Sequence, residues 1–256
     1  LHLLSRRQRQ MCIRDRDYYH LQEAEDFELD VEDLCLTLLN GYDFLILCNP
    51  NNPTSSAILK DEMRALLSFC ANRDIFVMID ETYVEFAPSV QEVTAVPYTK
   101  EFSNLMVLRG VSKFYAAPGM RFGYGITGNK EFLSQMKEKQ IPWSLNSLGA
   151  YAGEQMFKDT SYIRQTRALI LTERDRMFLE LKKISSFKVY FPYGNFILVK
   201  ILKPEVTSFD VFEACIKEGL MIRDCSSFQC LDGEFIRFCI MKPEDNNRLL
   251  KVLKTI

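Results

Sequence analysis

Apolar positions along this chain follow two different periods. Residues 43–48, 75–80 and 104–108 are short apolar runs rich in β-forming side chains and read as strands. The run Ile75-Phe76-Val77-Met78-Ile79 is continuous and predicts a buried parallel strand ending at Asp80. Residues 60–73 place Met63, Leu66, Leu67 and Cys70 at helical spacing, which predicts a crossover helix between the first two strands. This alternation continues to about residue 158 and argues for an α/β fold with a mainly parallel sheet. A long amphipathic segment, 161–184, comes next as a bridge to a smaller α+β C-terminal domain. That domain has strands near 188–190, 195–200 and 235–240 and helices near 209–218 and 244–253. Residues 18–40 read as a strand end and a helix. The expected organisation is a leader at 1–16, a large domain at 17–160, and the bridge and small domain at 161–256.

Three of the expected strands deliver chemistry to one edge. Asp80 ends its strand where open α/β sheets bind ligands, and Tyr83 can turn back into the same crevice. Asn52 follows the strand at 43–48; Ser112 and Lys113 follow the strand at 104–108. Arg121 lies eight residues beyond Lys113. This set matches the needs of pyridoxal 5'-phosphate. Lysine supplies an amine for a Schiff base, and an acid keeps the pyridine nitrogen protonated. The phenolate oxygen needs donors, and the phosphate needs a hydroxyl and a guanidinium.

The segments Asn49-Pro50-Asn51-Asn52-Pro53-Thr54, Met78-Ile79-Asp80-Glu81-Thr82-Tyr83, Arg109-Gly110-Val111-Ser112-Lys113 and Ala117-Pro118-Gly119-Met120-Arg121-Phe122-Gly123 resemble those of the class I/II (fold-type I) aminotransferases. The resemblance runs from about residue 17 to the end of the chain. It implies that Lys113 is the Schiff-base lysine and that Asp80 pairs with the ring nitrogen. It further implies that Asn52 and Tyr83 contact the phenolate oxygen, that Ser112 and Arg121 lie near the phosphate, and that Arg237 clamps a substrate carboxylate. Residues 113–119, 142–146 and 222–228 resemble the histidinol-phosphate aminotransferase branch, and most its threonine-phosphate decarboxylase relatives. Ser55, Gly110 and Met241 depart from the family pattern.

The expected activity is therefore a pyridoxal-phosphate transaminase. It exchanges an amino group between an amino acid or phosphorylated amino compound and a 2-oxo acid, both small molecules. The alternatives are a threonine-phosphate decarboxylase-like lyase and an inactive fragment, because no segment before Asn49 matches the family's substrate-covering arm, phosphate-cradling helix or stacking ring. The resemblance also implies a homodimer.

Composition narrows the rest. The chain has 256 residues, 47% hydrophobic, with a net charge of −2, so a substantial core is expected and nothing suggests a nucleic-acid face. No apolar run reaches a membrane span. Eight cysteines form no metal spacing and read as buried, reduced thiols of a cytoplasmic protein. Only His2 and His20 are present, so lysine has to carry proton transfer. Residues 1–16 carry five arginines against Asp15 and read as foreign to the rest of the chain. Gly123-Tyr124-Gly125-Ile126-Thr127-Gly128 fits a dinucleotide string, but its glycines read as part of a strand, and no acid lies twenty residues beyond. Ser112-Lys113 as a hydrolase dyad leaves Asp80 without a role. Trp143 reads as a packing residue, and Arg237 in a strand predicts a buried partner.

Overall fold

The computed structural model describes residues 16–256, so the leader expected at 1–16 lies, apart from Arg16, outside the described residues. Two four-stranded sheets organise the described chain. The first takes β1 (Phe44–Cys48), β2 (Phe76–Asp80), β3 (Leu105–Gly110) and β4 (Gly123–Ile126) side by side in chain order. β1, β2 and β3 are parallel, with Cys48 opposite Asp80 and Asp80 opposite Leu108, so their carboxyl ends share one edge.

β4 returns antiparallel beside β3, with Gly110 facing Gly123. A Cβ on Gly123 would stand 3.0 Å from the Arg109 carbonyl oxygen, which explains the small residues at this pair. A Cβ on Gly128 would reach within 2.0 Å of the Thr99 carbonyl oxygen. The Gly-x-Gly-x-x-Gly string is thus a closely packed strand and turn.

Helix α1 (Val31–Leu38) begins where the Asp30 carboxylate accepts from the Asp33 amide at 3.0 Å. Helix α2 (Lys60–Ala71) buries Met63, Leu66, Leu67 and Cys70 against Leu45, Val77, Ile79, Leu105 and Val107. Those strand residues all face one side of the sheet. On the other side Phe44, Ile46 and Cys48 are exposed, and Phe76 and Met78 are half-buried. The buried strand expected at 75–80 is therefore corrected: β2 is parallel, but it is buried on one face only. Helix α3 (Lys130–Glu138) meets the opposite face, with the Phe132 ring 4.9 Å from that of Phe76.

Helix α4 (Ser147–Lys158) leads into α5 (Thr160–Leu181), the long bridge. Between α3 and α4, Trp143 is 99% exposed, which corrects its reading as a packing residue.

The second sheet is antiparallel, in the order β5 (Phe187–Val189), β6 (Phe196–Ile201), β8 (Phe235–Cys239) and β7 (Arg223–Asp224). Its β6 core packs with Met177 and Leu181 of α5, Val211 and Cys215 of α6 (Ser208–Lys217), and Leu249, Leu250 and Leu253 of α7 (Pro243–Leu253). A separate cluster joins Leu198, Tyr190 and Phe235 to Phe27.

The strand end expected within 18–40 is absent among the described residues. A short turn at Glu23–Glu25 and the ring of Phe27 strap the segment onto the second sheet instead. Phe27 stands 5.0 Å from Tyr190, and the Glu23 carboxylate accepts from the Tyr190 hydroxyl at 2.9 Å and from Lys200 Nζ at 2.6 Å. The strap also brings His20 Nδ1 to 3.0 Å from Cys230 Sγ, a meeting the sequence, with 210 positions between them, did not suggest.

Arg174 of α5 is 1% exposed and donates to the Phe86, Tyr193 and Gly194 carbonyls, joining the bridge, the turn after Tyr83 and the entry to β6. Each buried acceptor left dry costs roughly 1–3 kcal/mol. Arg174→Met is expected to lower unfolding free energy by at least about 3 kcal/mol, read as a lower urea midpoint. An unchanged midpoint would mean that water replaces the guanidinium.

Candidate active site

The loop after β1 is held from below by a buried amide. Asn49 Nδ2 donates to the Ile58 and Val93 carbonyls at 3.0 and 2.9 Å, and its Oδ1 accepts from the Ile58 amide at 2.8 Å. Both Asn49-Pro50 and Asn52-Pro53 are cis. Ser55, one of the departures from the family pattern, sits at φ 65°, the left-handed region that favours glycine. Its hydroxyl accepts from the Gly194 amide at 2.8 Å and its carbonyl from the Tyr193 amide at 2.8 Å, tying the loop to the entry of β6. Asn52 is left exposed at the rim.

Asp80 is half-buried at the end of β2, and its Oδ1 accepts from both the amide and the hydroxyl of Thr82. The chain then turns through Tyr83 into Val84–Phe86. Lys113 is exposed after β3, with Nζ 5.8 Å from the centre of the Tyr83 ring. The edge of Tyr83 meets Phe196 at 5.0 Å between ring centres, and the Arg237 guanidinium carbon lies 5.1 Å over the same Phe196 ring. Arg237 Nη1 donates to Asn52 Oδ1. The buried partner expected for this strand arginine is corrected in part: the Phe196 ring is buried, but the amide of Asn52 is exposed.

Electrostatics tie the same residues together. The surrounding protein pushes the Cys239 thiol up, while Arg237 and Lys113 draw it down. At the end of β1 the Cys48 thiol is pushed up to about 11 by desolvation, with the Asp80 carboxylate adding to the push. Cys48, Cys230 and Cys239 are exposed residues and Cys35 is half-buried, which corrects their reading as buried thiols.

Four separate segments thus bring Asn52, Tyr83, Lys113 and Arg237 into one constellation. Asp80 stands three residues before Tyr83 at the adjoining strand end. Ser112 is half-buried beside Lys113. Arg121 is exposed, at φ 49°, and its Nη1 donates to the Pro118 carbonyl at 3.0 Å. Sequence reading missed Phe196, the ring on which Tyr83 and Arg237 converge; in the sequence it is one more apolar strand position. It also missed Asn49 and Thr82, whose roles depend on hydrogen bonds that spacing does not reveal. Among the described residues no cluster of histidine, cysteine or carboxylate side chains could hold a metal ion, and no helix is long and apolar enough to cross a membrane.

The sequence pattern of the family described as aminotransferase class I and II matches residues 7–253. A putative threonine-phosphate decarboxylase of Caldanaerobacter subterraneus subsp. tengcongensis is 35% identical over 237 residues, 93% of this chain and 64% of that protein. A histidinol-phosphate aminotransferase of Methanococcus aeolicus is 30% identical over 239 residues, 93% of this chain and 62% of that protein. The crystal structure of the histidinol-phosphate aminotransferase from Clostridium acetobutylicum superposes with a TM-score of 0.84 at 34% identity, covering 92% of this chain and 69% of that one. The chain spans just under two thirds of the length of these two curated relatives.

Proposed function

We propose, because this chain belongs to the aminotransferase class I and II family, that it uses pyridoxal phosphate at Lys113 to move an amino group between an amino compound and a 2-oxo acid. The observation that carries the reading is the convergence of Lys113, Tyr83, Asn52 and Arg237 from four segments, beside Asp80.

The donor set fits the cofactor. Lys113 is exposed, with the Tyr83 ring beside its Nζ. The Asp80 carboxylate is half-exposed, with Oδ1 already oriented by Thr82, so it can face a protonated ring nitrogen. The Tyr83 hydroxyl and the Asn52 amide are donors suited to the phenolate oxygen, and Ser112 and Arg121 are the hydroxyl and guanidinium suited to the phosphate.

When bound, pyridoxal phosphate supplies an electron sink for the pair released at the substrate Cα. Lys113 would hold the cofactor through its amine and, as a free amine, would move the proton at the substrate Cα. Asp80 would keep the proton on the ring nitrogen. Arg237 offers its fork to the substrate carboxylate, and Asn52 Oδ1 aims that fork from one side.

A second reading, a threonine-phosphate decarboxylase, is supported by the name of the relative at 35% identity. The same side chains would serve, with the bond to the carboxylate rather than the Cα–H bond presented for cleavage. Carbon dioxide released without an acceptor acid would favour it; amino exchange that requires a 2-oxo acid would favour the first reading.

The test of both is chemical trapping. The protein is mixed with pyridoxal phosphate, reduced with borohydride and mapped by peptide mass, and the modification is expected on Lys113. Label spread over surface lysines, or none, would show a chain that does not hold the cofactor by itself.

A further inference from the structure

The residue after Asp80 and a residue four before Lys113 meet inside the protein. Glu81 is fully buried. Its Oε2 accepts from Arg109 Nε at 3.0 Å and Nη2 at 2.7 Å. The Thr94 hydroxyl donates to the same carboxylate, as does the Ala95 amide. Arg109 Nη2 also donates to the Thr94 hydroxyl at 2.8 Å, while Nη1 lies 3.9 Å from the Glu85 carboxylate, two residues past Tyr83. The Glu81 amide meanwhile donates to the Leu108 carbonyl at 2.9 Å. One guanidinium on β3 therefore grips the segment that carries Asp80 and the turn that carries Tyr83, just upstream of Lys113.

We propose that Arg109, through Glu81, is a positioning residue that fixes the Lys113 segment against Asp80 and Tyr83. The proposal rests on the assignment of Lys113 as the cofactor-bearing amine, although its first test does not. A buried ion pair is a poor device for stability alone, since apolar residues of similar size often do as well. Its use lies in register, because the fork accepts only one arrangement of the strand ends. Burial pushes the Glu81 and Glu85 carboxyls above the usual carboxylate range, and the Arg109 charge offsets only part of that push in each. Removing the guanidinium leaves a buried carboxylate that must take a proton or draw in water.

The test compares wild type with Arg109→Lys, Arg109→Gln and the isosteric Glu81→Gln. The first readout, on protein without cofactor, is amide hydrogen exchange in peptides covering 110–117 and 80–86, with β6 as the internal reference. Arg109→Gln and Glu81→Gln are expected to speed exchange at 110–117 about tenfold while β6 stays unchanged, as local opening requires. Arg109→Lys is expected to recover part of the protection. The second readout is the rate of pyridoxal-phosphate trapping at Lys113, expected to fall about tenfold in step with exchange. Exchange that is equal in all proteins, or that rises as much in β6 as at 110–117, overturns the positioning role. A wild type that takes no label at Lys113 shows that this chain does not hold the cofactor by itself, which removes the second readout, and the exchange comparison alone then decides the register claim.

Discussion

Alanine at position 113 is expected to leave a folded protein without measurable amino-group transfer. Lys113 is exposed, with Nζ 5.8 Å from the centre of the Tyr83 ring. Truncating such a side chain shifts stability by no more than about 0.5 kcal/mol. The chemical loss is of another size. General acid–base catalysis alone contributes about 10²–10⁴-fold, and under the proposed function this amine would also hold the cofactor, so activity is expected to fall beyond about 10⁴-fold. Lys113→Arg sharpens the test, because guanidinium keeps the charge but cannot form the bond to the aldehyde or give up a proton at neutral pH. Both variants are expected to fail equally in amino exchange and to lose the borohydride-fixed mass at this position. Full turnover in Lys113→Ala would end the assignment, and activity in Lys113→Arg alone would reduce the lysine to a cation.

Much of this site was legible because its parts sit at strand ends, where local sequence decides geometry. Short apolar runs gave β1, β2 and β3 to within a few residues, and parallel pairing then placed Asn52, Asp80 and Lys113 along one edge. Helix α2 was legible for the same reason: Met63, Leu66, Leu67 and Cys70 repeat at its own period.

What the sequence hid depends on partners distant along the chain. A continuous apolar run does not say whether one face of β2 is covered, and here Phe76 and Met78 are left half-buried. Trp143 looks like core material, but it stands fully exposed between α3 and α4. Phe196 carries no sign that Tyr83 and Arg237 will share its ring. The strap through Phe27 and Glu23 is equally silent, because its aromatic and lysine partners lie more than 160 positions away.

Asparagine at position 80 is expected to separate binding from chemistry. The amide keeps the size of the side chain and an oxygen for the Thr82 amide and hydroxyl, so the turn toward Tyr83 has no steric reason to move. Only the charge is lost. An opposite charge at a few ångströms shifts a proton affinity by roughly 1–3 pKa units, so protonation of the ring nitrogen that Asp80 would face under the proposed function is expected to fall by about 10–10³-fold. The turnover number should drop by a similar factor, with KM for the amino compound nearly unchanged because Arg237 and Asn52 are untouched. Arg237→Lys is the complementary variant: it replaces a planar fork with a point charge. It is expected to raise KM by about 10–100-fold, in line with the roughly 1.5–3 kcal/mol of a hydrogen bond to a charged group, and to leave Lys113 trapping intact. If Asp80→Asn instead raised KM and spared turnover, Asp80 would belong to substrate binding, and the acid partner of the ring would have to be sought elsewhere along the strand ends.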